Sequence, residues 1–135
     1  MVALFLDTEM SQGKDTLNEW LDYILSSHPE NVIELGLTRM KKMLDRLDIH
    51  FDCPVITVAG TNGKGSTCAM LEAIYRAAGY KTAMHTSPHM LSFNERAQIN
   101  GEIVEDAPLV EAFREVEAAR AGMPLTYFEF TALGI

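Results

Sequence analysis

Cysteine, basic charge and long apolar runs are all scarce in this chain, and each scarcity removes a class of function. No apolar stretch reaches the roughly 18 residues that a membrane-crossing helix needs, so no membrane partner is expected. Cys53 and Cys68 have neither metal-site nor redox-motif spacing. They read as reduced, structural thiols. The 11 Lys and Arg residues are outnumbered by 19 Asp and Glu, for a formal net charge of −8. Nucleic-acid-binding surfaces are basic, so no nucleic-acid partner is expected. Small anions are a different matter, because a few amides and one lysine can bind a phosphate on an acidic protein. Met1 to Asp7 is partly apolar but has no basic flank and no small-residue cleavage site. It does not read as a signal peptide, and the cytoplasm is the expected location. Internal repeats and low-complexity tracts are absent as well.

What is there is an ordinary globular composition. The 135 residues are the size of one domain. Apolar residues make up 47% and charged residues 22%, which is enough apolar surface to bury a core.

Helix signals come first along the chain. Thr16 and Glu19 have capping-box spacing, and Trp20, Leu21, Ile24 and Leu25 follow as an apolar stripe that Pro29 ends. A second helix is expected from Leu37 to Leu47, with Leu37, Met40, Leu44 and Leu47 as its stripe. Arg39, Lys41, Lys42 and Arg46 read as its solvated face. Val55 to Val58 is apolar on nearly every side chain, the pattern of a strand buried on both faces of a parallel sheet. A helix is expected over Ser66 to Ala78, stopped by Gly79, then a strand over Lys81 to His85. Such a strand–loop–helix–strand unit implies a right-handed crossover.

Met90 to Glu95 shows no period and reads as a loop. Asn100-Gly101, between Arg96 to Ile99 and Glu102 to Val104, is a two-residue hairpin signal. Asp106 opens another helix, with Pro108 in its first turn, Leu109, Phe113 and Val116 on the buried face, and Gly122 and Pro124 at its end. Glu111, Glu115 and Glu117 read as a solvated face. Thr126 to Ile135 is apolar and stops without a cap, a charge or a turn. The expectation is a piece of a longer chain.

The sharpest chemical signal is Gly60-Thr61-Asn62-Gly63-Lys64-Gly65-Ser66-Thr67, between the expected strand and helix. Successive N–H groups in such a turn form a nest for an anion. Glycines let the backbone approach phosphate oxygens, and the following helix adds its positive end. Lys64 supplies a full charge for the outer phosphates, and a hydroxyl of Ser66 or Thr67 is in reach of phosphate or magnesium. The spacing departs from G-x-x-x-x-G-K-[ST], because Gly65 separates Lys64 from Ser66 and position 58 is Val. A plain glycine-rich turn is the alternative reading. Three glycines, a lysine and paired hydroxyls together favour a phosphate-binding loop.

Gly60 to Ser66 resembles the variant phosphate loop of the Mur ligase superfamily. Leu35-Gly36-Leu37 with Arg39, Thr86-Ser87-Pro88-His89-Met90 with Asn94-Glu95-Arg96, and Thr126-Tyr127-Phe128-Glu129-Phe130 resemble, in order, three segments of the folate-glutamate ligases, the dihydrofolate synthase/folylpolyglutamate synthase family. The resemblance implies an α/β fold, a truncated ATP-binding domain with a parallel sheet flanked by helices. Residues 1–135 would be its N-terminal part, with a smaller C-terminal domain absent from this chain.

It also implies that ATP phosphorylates a carboxylate of the pterin substrate and that the amine of L-glutamate displaces the phosphate. The substrates would be dihydropteroate or folate, L-glutamate and ATP, with Mg2+, and the full-length protein would be a monomer. By resemblance, Gly63, Lys64, Gly65 and Ser66 are nucleotide-binding positions, Lys64 being the catalytic charge, and Ser87 is a magnesium ligand. The remaining metal ligands lie in segments this chain lacks. Glu34, Leu35 and Gly36, with Thr126, Tyr127, Phe128, Glu129, Phe130, Thr131, Ala132 and Leu133, match segments lining the pterin pocket.

Several of these residues have a plainer reading. Ser87-Pro88 is also what a turn after a strand looks like, and on spacing alone Tyr127, Phe128 and Phe130 read as core. Glu129 among aromatics is harder to place in a core, since a buried carboxylate needs a partner. His85 and His89 straddle a proline and do not share a helix face as zinc ligands would. His28 and His50 read as surface residues. Two rivals share the phosphate loop: a Mur-type ligase acting on a cell-wall precursor, and a nucleotide-binding module without catalysis.

Overall fold

The computed structural model describes residues 13–27 and 37–135. Pro29, His28, Glu34, Leu35 and Gly36 lie outside the described residues. The chain divides into two compact units, one built from residues 1–50 and 106–135, the other from 51–105.

The first unit is helical. Helix α1 (Leu17–Ser27) starts where the capping box predicts. Thr16 N–H donates to Glu19 Oε2 at 3.0 Å, and Glu19 N–H donates to Thr16 Oγ1 at 3.3 Å. Helix α2 (Thr38–Leu47) follows, then, after the second unit, α4 (Asp106–Arg120) and α5 (Tyr127–Leu133). Their apolar faces meet in a core whose fully enclosed members include Trp20, Ile24, Met43, Phe113, Val116 and Phe130. The Phe113 ring centre lies 6.3 Å from that of Trp20 and 5.9 Å from that of Phe130, in tilted and edge-on packing.

Two expected stripes turn by one position. Leu25 is exposed and Tyr23 is buried in α1, while Leu37 is exposed and Met43 is the enclosed residue of α2. A helix face is wider than one row, so the neighbouring helices select which row is buried.

Long polar side chains reach across the same helices. Of the basic residues expected on a solvated face, Arg46 Nη1 donates to the Ala119 and Arg120 carbonyls at 3.0 and 2.7 Å. It thereby satisfies acceptors that the end of α4 leaves without intrahelical partners. Glu117, expected in solvent, accepts from Tyr23 Oη at 3.1 Å and from Arg120 Nη2 and Nε at 2.7 Å each. Arg120 Nη2 also donates to Tyr23 Oη at 2.9 Å. Burial costs the Arg120 charge, but the Glu117 carboxylate more than compensates and holds its pKa above the ordinary value. Lys14 Nζ sits 3.9 Å from the Tyr23 ring centre and 5.4 Å from that of Trp20, a cation–π placement. Burial lowers the Lys14 pKa against the opposing pull of Glu117 and Glu19.

The second unit carries helix α3 (Lys64–Ala77), a 3-10 turn (Phe93–Arg96) and a small sheet of β1 (Ala83–His85), β2 (Ala97–Ile99) and β3 (Glu102–Ile103). The sheet order is β1-β2-β3 and every pair is antiparallel, with Ala83 opposite Ile99 and Gln98 opposite Ile103. Asn100 and Gly101 form the β2–β3 turn with φ of 53° and 81°, the positive pair that a two-residue hairpin of this twist requires.

The α/β class therefore holds, but the expected parallel arrangement is not formed among the described residues. Val55 to Val58 has extended chemistry but no ladder partner there, and Val55 and Ile56 are exposed. A strand exists only through its neighbour's hydrogen bonds, and among the described residues no segment pairs with Val55 to Val58. Met90 to Glu95, expected as loop throughout, ends in the 3-10 turn.

Candidate functional site

The phosphate-loop segment lies wholly in the second unit and is exposed from Ala59 to Thr67. Helix α3 begins at Lys64, directly after Gly63, whose φ of 76° places it in the left-handed region. Gly63 supplies no side-chain cap. The N–H groups of Lys64, Gly65 and Ser66 open the helix, with no carbonyl one turn earlier inside it to accept from them. They stand with the positive end of the helix dipole behind them. Lys64 Nζ folds back over this opening and donates to the Gly60 carbonyl at 2.7 Å and the Thr61 carbonyl at 3.3 Å. The ammonium thus stays at the mouth of the loop. Thr67 Oγ1 donates to the Gly63 carbonyl at 2.9 Å, back along its own helix, and Ser66 is the hydroxyl that opens the first turn. Within one short segment the chain assembles uncapped amides, one cation and hydroxyls, the chemistry that holds a polyphosphate.

Ser87 sits after β1 in an exposed turn, joined to Pro88 by a cis peptide bond. The flanking histidines have protein partners. His85 Nδ1 donates to the Arg96 carbonyl at 2.9 Å, and His89 Nδ1 accepts from Arg96 Nε at 2.9 Å. Among the described residues no group of three His, Cys, Asp or Glu is arranged to hold a metal ion. Cys53 is exposed, Cys68 half-buried, and both are free thiols. His50 is exposed, 2.9 Å from Asp48 Oδ1.

The segment from Thr126 to Leu133 belongs to the first unit. It is helix α5 with Thr126 as its cap: Glu129 N–H donates to Thr126 Oγ1 at 3.2 Å and Thr126 N–H donates to Glu129 Oε2 at 2.8 Å. Tyr127, Phe130, Thr131 and Leu133 are buried, Ala132 is half-buried, and Phe128 is 60% exposed. The partner that a buried Glu129 requires is Arg39, expected on the solvated face of α2. Its Nε lies 3.2 and 3.1 Å from the two carboxylate oxygens. Burial pushes the Glu129 carboxyl up, and the Thr126 amide with the Arg39 guanidinium outweighs it, leaving the pKa below its ordinary value.

Sequence reasoning left one arrangement unread. Glu95 accepts from the N–H groups of Met90 at 2.7 Å and of Leu91 and Ser92 at 2.8 Å. The Ser92-to-Glu95 spacing is a capping-box signal that points to it.

The chain thus comprises a helical unit and an α/β unit, and helix α3 of the α/β unit opens without a side-chain cap after a glycine-rich loop. No family model matches the chain. It is 42% identical to the Escherichia coli dihydrofolate synthase/folylpolyglutamate synthase over 123 residues, 90% of this chain and 29% of that protein. It is also 42% identical to the Haemophilus influenzae protein of the same name over 118 residues, 87% of this chain and 26% of that protein. The Escherichia coli structure in complex with DHPP and ADP matches with a TM-score of 0.83 at 40% identity, covering 91% of this chain and 30% of that one. A Yersinia pestis bifunctional folylpolyglutamate synthase/dihydrofolate synthase complexed with AMPPNP and Mn matches with a TM-score of 0.82 at 45% identity over the same shares. Over the part of those proteins that it spans, less than a third of their length, the chain is related in sequence and in fold to the dihydrofolate synthase/folylpolyglutamate synthase family.

Proposed function

We propose that this chain is the nucleotide-binding part of an ATP-dependent ligase of folate biosynthesis, which joins L-glutamate to dihydropteroate, to folate, or to both, through an acyl phosphate. The observation that carries the reading is the uncapped start of α3 with Lys64 Nζ held over the Gly60 and Thr61 carbonyls. The names and bound nucleotides of the relatives support it.

A carboxylate oxygen is a poor leaving group, so an amine does not displace it directly. Phosphorylation by ATP makes it a good one, and the glutamate amine then forms the amide as phosphate departs. In this chemistry the protein positions the reactants and neutralises charge. The amides of Gly63 to Ser66 would hold the phosphates, and Lys64 would offset the charge shifting between them.

Magnesium suits the donor set. It takes phosphate oxygens and water with few protein ligands; the chain offers the Ser87 hydroxyl, a weak ligand by itself, and a carboxylate and further partners would complete the set. Ser87 and the Ser66 hydroxyl would face the ion, which supplies charge neutralisation when bound.

Glu34, Leu35 and Gly36, with the segment Thr126 to Leu133, would serve the pterin side. Phe128 is the aromatic left exposed to stack on a flat ring. Glu129 would fix the start of α5 through Arg39 while keeping acceptor capacity for a pterin amino group. The reading makes residues 1–135 the N-terminal part of the ATP-binding domain of a cytoplasmic, monomeric enzyme. Its other domain and remaining metal ligands come from further residues.

The test is Lys64→Ala in the full-length protein. Because Lys64 is exposed, the thermal midpoint should hold to within about 0.5 kcal/mol of stability, while ADP affinity and ligase turnover fall at least about tenfold, roughly 1.4 kcal/mol of binding. Near-normal turnover would remove the phosphate-loop assignment. Calorimetry separates the related alternative: dihydropteroate should bind, and a nucleotide-sugar peptide of the kind Mur ligases use should not.

A further inference from the structure

The turn that carries Ser87 is gripped from both sides by one residue. Arg96 closes the 3-10 turn and is buried. Its carbonyl accepts from Thr86 N–H at 3.1 Å and from His85 Nδ1 at 2.9 Å. Its guanidinium Nε donates to His89 Nδ1 at 2.9 Å, with the guanidinium carbon 5.2 Å from the Phe93 ring centre. The His89 ring packs edge-on against the same Phe93, at 5.9 Å between centres. The main chain of Arg96 therefore holds the residue before Ser87, and its side chain holds the residue two positions after it. Alongside, the Glu95 carboxylate ties the N–H groups of Met90, Leu91 and Ser92, so the loop that closes the turn is fixed as well.

A buried guanidinium carries a desolvation cost that an apolar side chain of similar volume does not. Arginine at this position therefore calls for a task that packing alone does not explain. Its neutral partner, the imidazole of His89, accepts one directed hydrogen bond, which fixes an orientation more than it stabilises a charge. Of the three residues that Arg96 bonds, His85 and Thr86 precede Ser87 in the chain and His89 follows it, and Ser87 is itself exposed.

We propose that Arg96 is a positioning residue: through His89 and the Thr86 amide it holds the Ser87 hydroxyl in place for the magnesium ion that accompanies the nucleotide. The proposal rests on the assignment of Ser87 as a magnesium ligand given above. Partners that orient a metal ligand contribute about 10- to 100-fold to metal affinity, and the same scale applies here.

The test uses the full-length protein, with Mn2+ as the probe ion, titrated in the presence of ADP and followed by electron paramagnetic resonance. His89→Ala removes the acceptor, together with the ring packed against Phe93, from a half-buried position. It should weaken Mn2+ about tenfold or more and leave ADP affinity measured in chelator unchanged. His89→Gln returns an acceptor to Arg96 and should restore most of the Mn2+ affinity. Arg96→Lys, which keeps the charge but loses the directed Nε donor, should behave like His89→Ala, with the thermal midpoint reporting that each variant is folded. Combining His89→Ala with Ser87→Ala should weaken Mn2+ no further than Ser87→Ala alone. Wild-type Mn2+ affinity in both His89→Ala and Arg96→Lys, with Ser87→Ala impaired, would overturn the positioning role and leave Ser87 as a ligand. Wild-type affinity in Ser87→Ala would overturn the ligand assignment and the positioning role together.

Discussion

Glu129 shows how a single carboxylate joins two helices. Its oxygens take the Arg39 guanidinium from α2 and the Thr126 amide at the start of α5. Burial favours the neutral acid, but the hydrogen bonds prevail and the folded-state pKa lies below the ordinary 4.5. The stabilisation is therefore complete above pH 4.5 and drains away as pH falls through the depressed value. Glu129→Gln keeps the shape and removes the charge. It should cost about 2 kcal/mol at neutral pH, the scale of a charged hydrogen bond. The difference from wild type should shrink on acidification, read as urea midpoints between neutral pH and pH 3. A difference that stays constant over that range would show the charge to be irrelevant.

At the level of elements, the decisive feature is how each helix begins. Helices α1 and α5 open on the same hydroxyl-to-glutamate spacing, Thr16 to Glu19 and Thr126 to Glu129, and each closes a reciprocal cap. The first was legible as a helix start. The second carries the same signal, in a segment whose resemblance to the family implies a pocket lining. Helix α3 begins without a side-chain cap, on Gly63 at φ of 76°, the opening that the proposed nucleotide site uses. An alanine there meets no neighbouring atom within 4 Å, so its cost is conformational, roughly 1–2 kcal/mol for an L-residue in the left-handed region. The exposed loop should relieve that strain by shifting. Gly63→Ala is expected to bind ADP about tenfold more weakly by calorimetry, and unchanged affinity would show that the left-handed turn is not what presents the amides.

The apolar run Val55 to Val58 marks the limit of pattern reading at this level. Its alphabet is that of a buried strand, yet pairing depends on which segment lies beside it. The described residues supply none.

On the scale of the whole molecule, the chain spans 29% of the Escherichia coli relative, and the second unit leaves Val55, Ile56, Met70 and Ile74 between 54% and 66% exposed. Among the described residues no carboxylate cluster for a metal accompanies the loop from Gly60 to Ser66. The 135 residues by themselves should bind ADP without joining glutamate to a pterin acid. The measurement is glutamate-dependent ADP release from the purified chain, expected to stay at background, and release above background would mean that the ligase chemistry needs nothing further.

The cap at Thr16 and Glu19, the hairpin at Asn100-Gly101 and most helix bounds were legible in the sequence alone. Each depends on residues a few positions apart, and local backbone geometry turns such spacing directly into structure. Only the tertiary structure could decide that Arg39 meets Glu129 across 90 residues, that Tyr23 meets Glu117 across 94, and that Arg46 caps a helix more than 70 residues away. A charge on a helix surface reads as solvated until the chain path brings a partner to it, and that path is set by the packing of every helix at once.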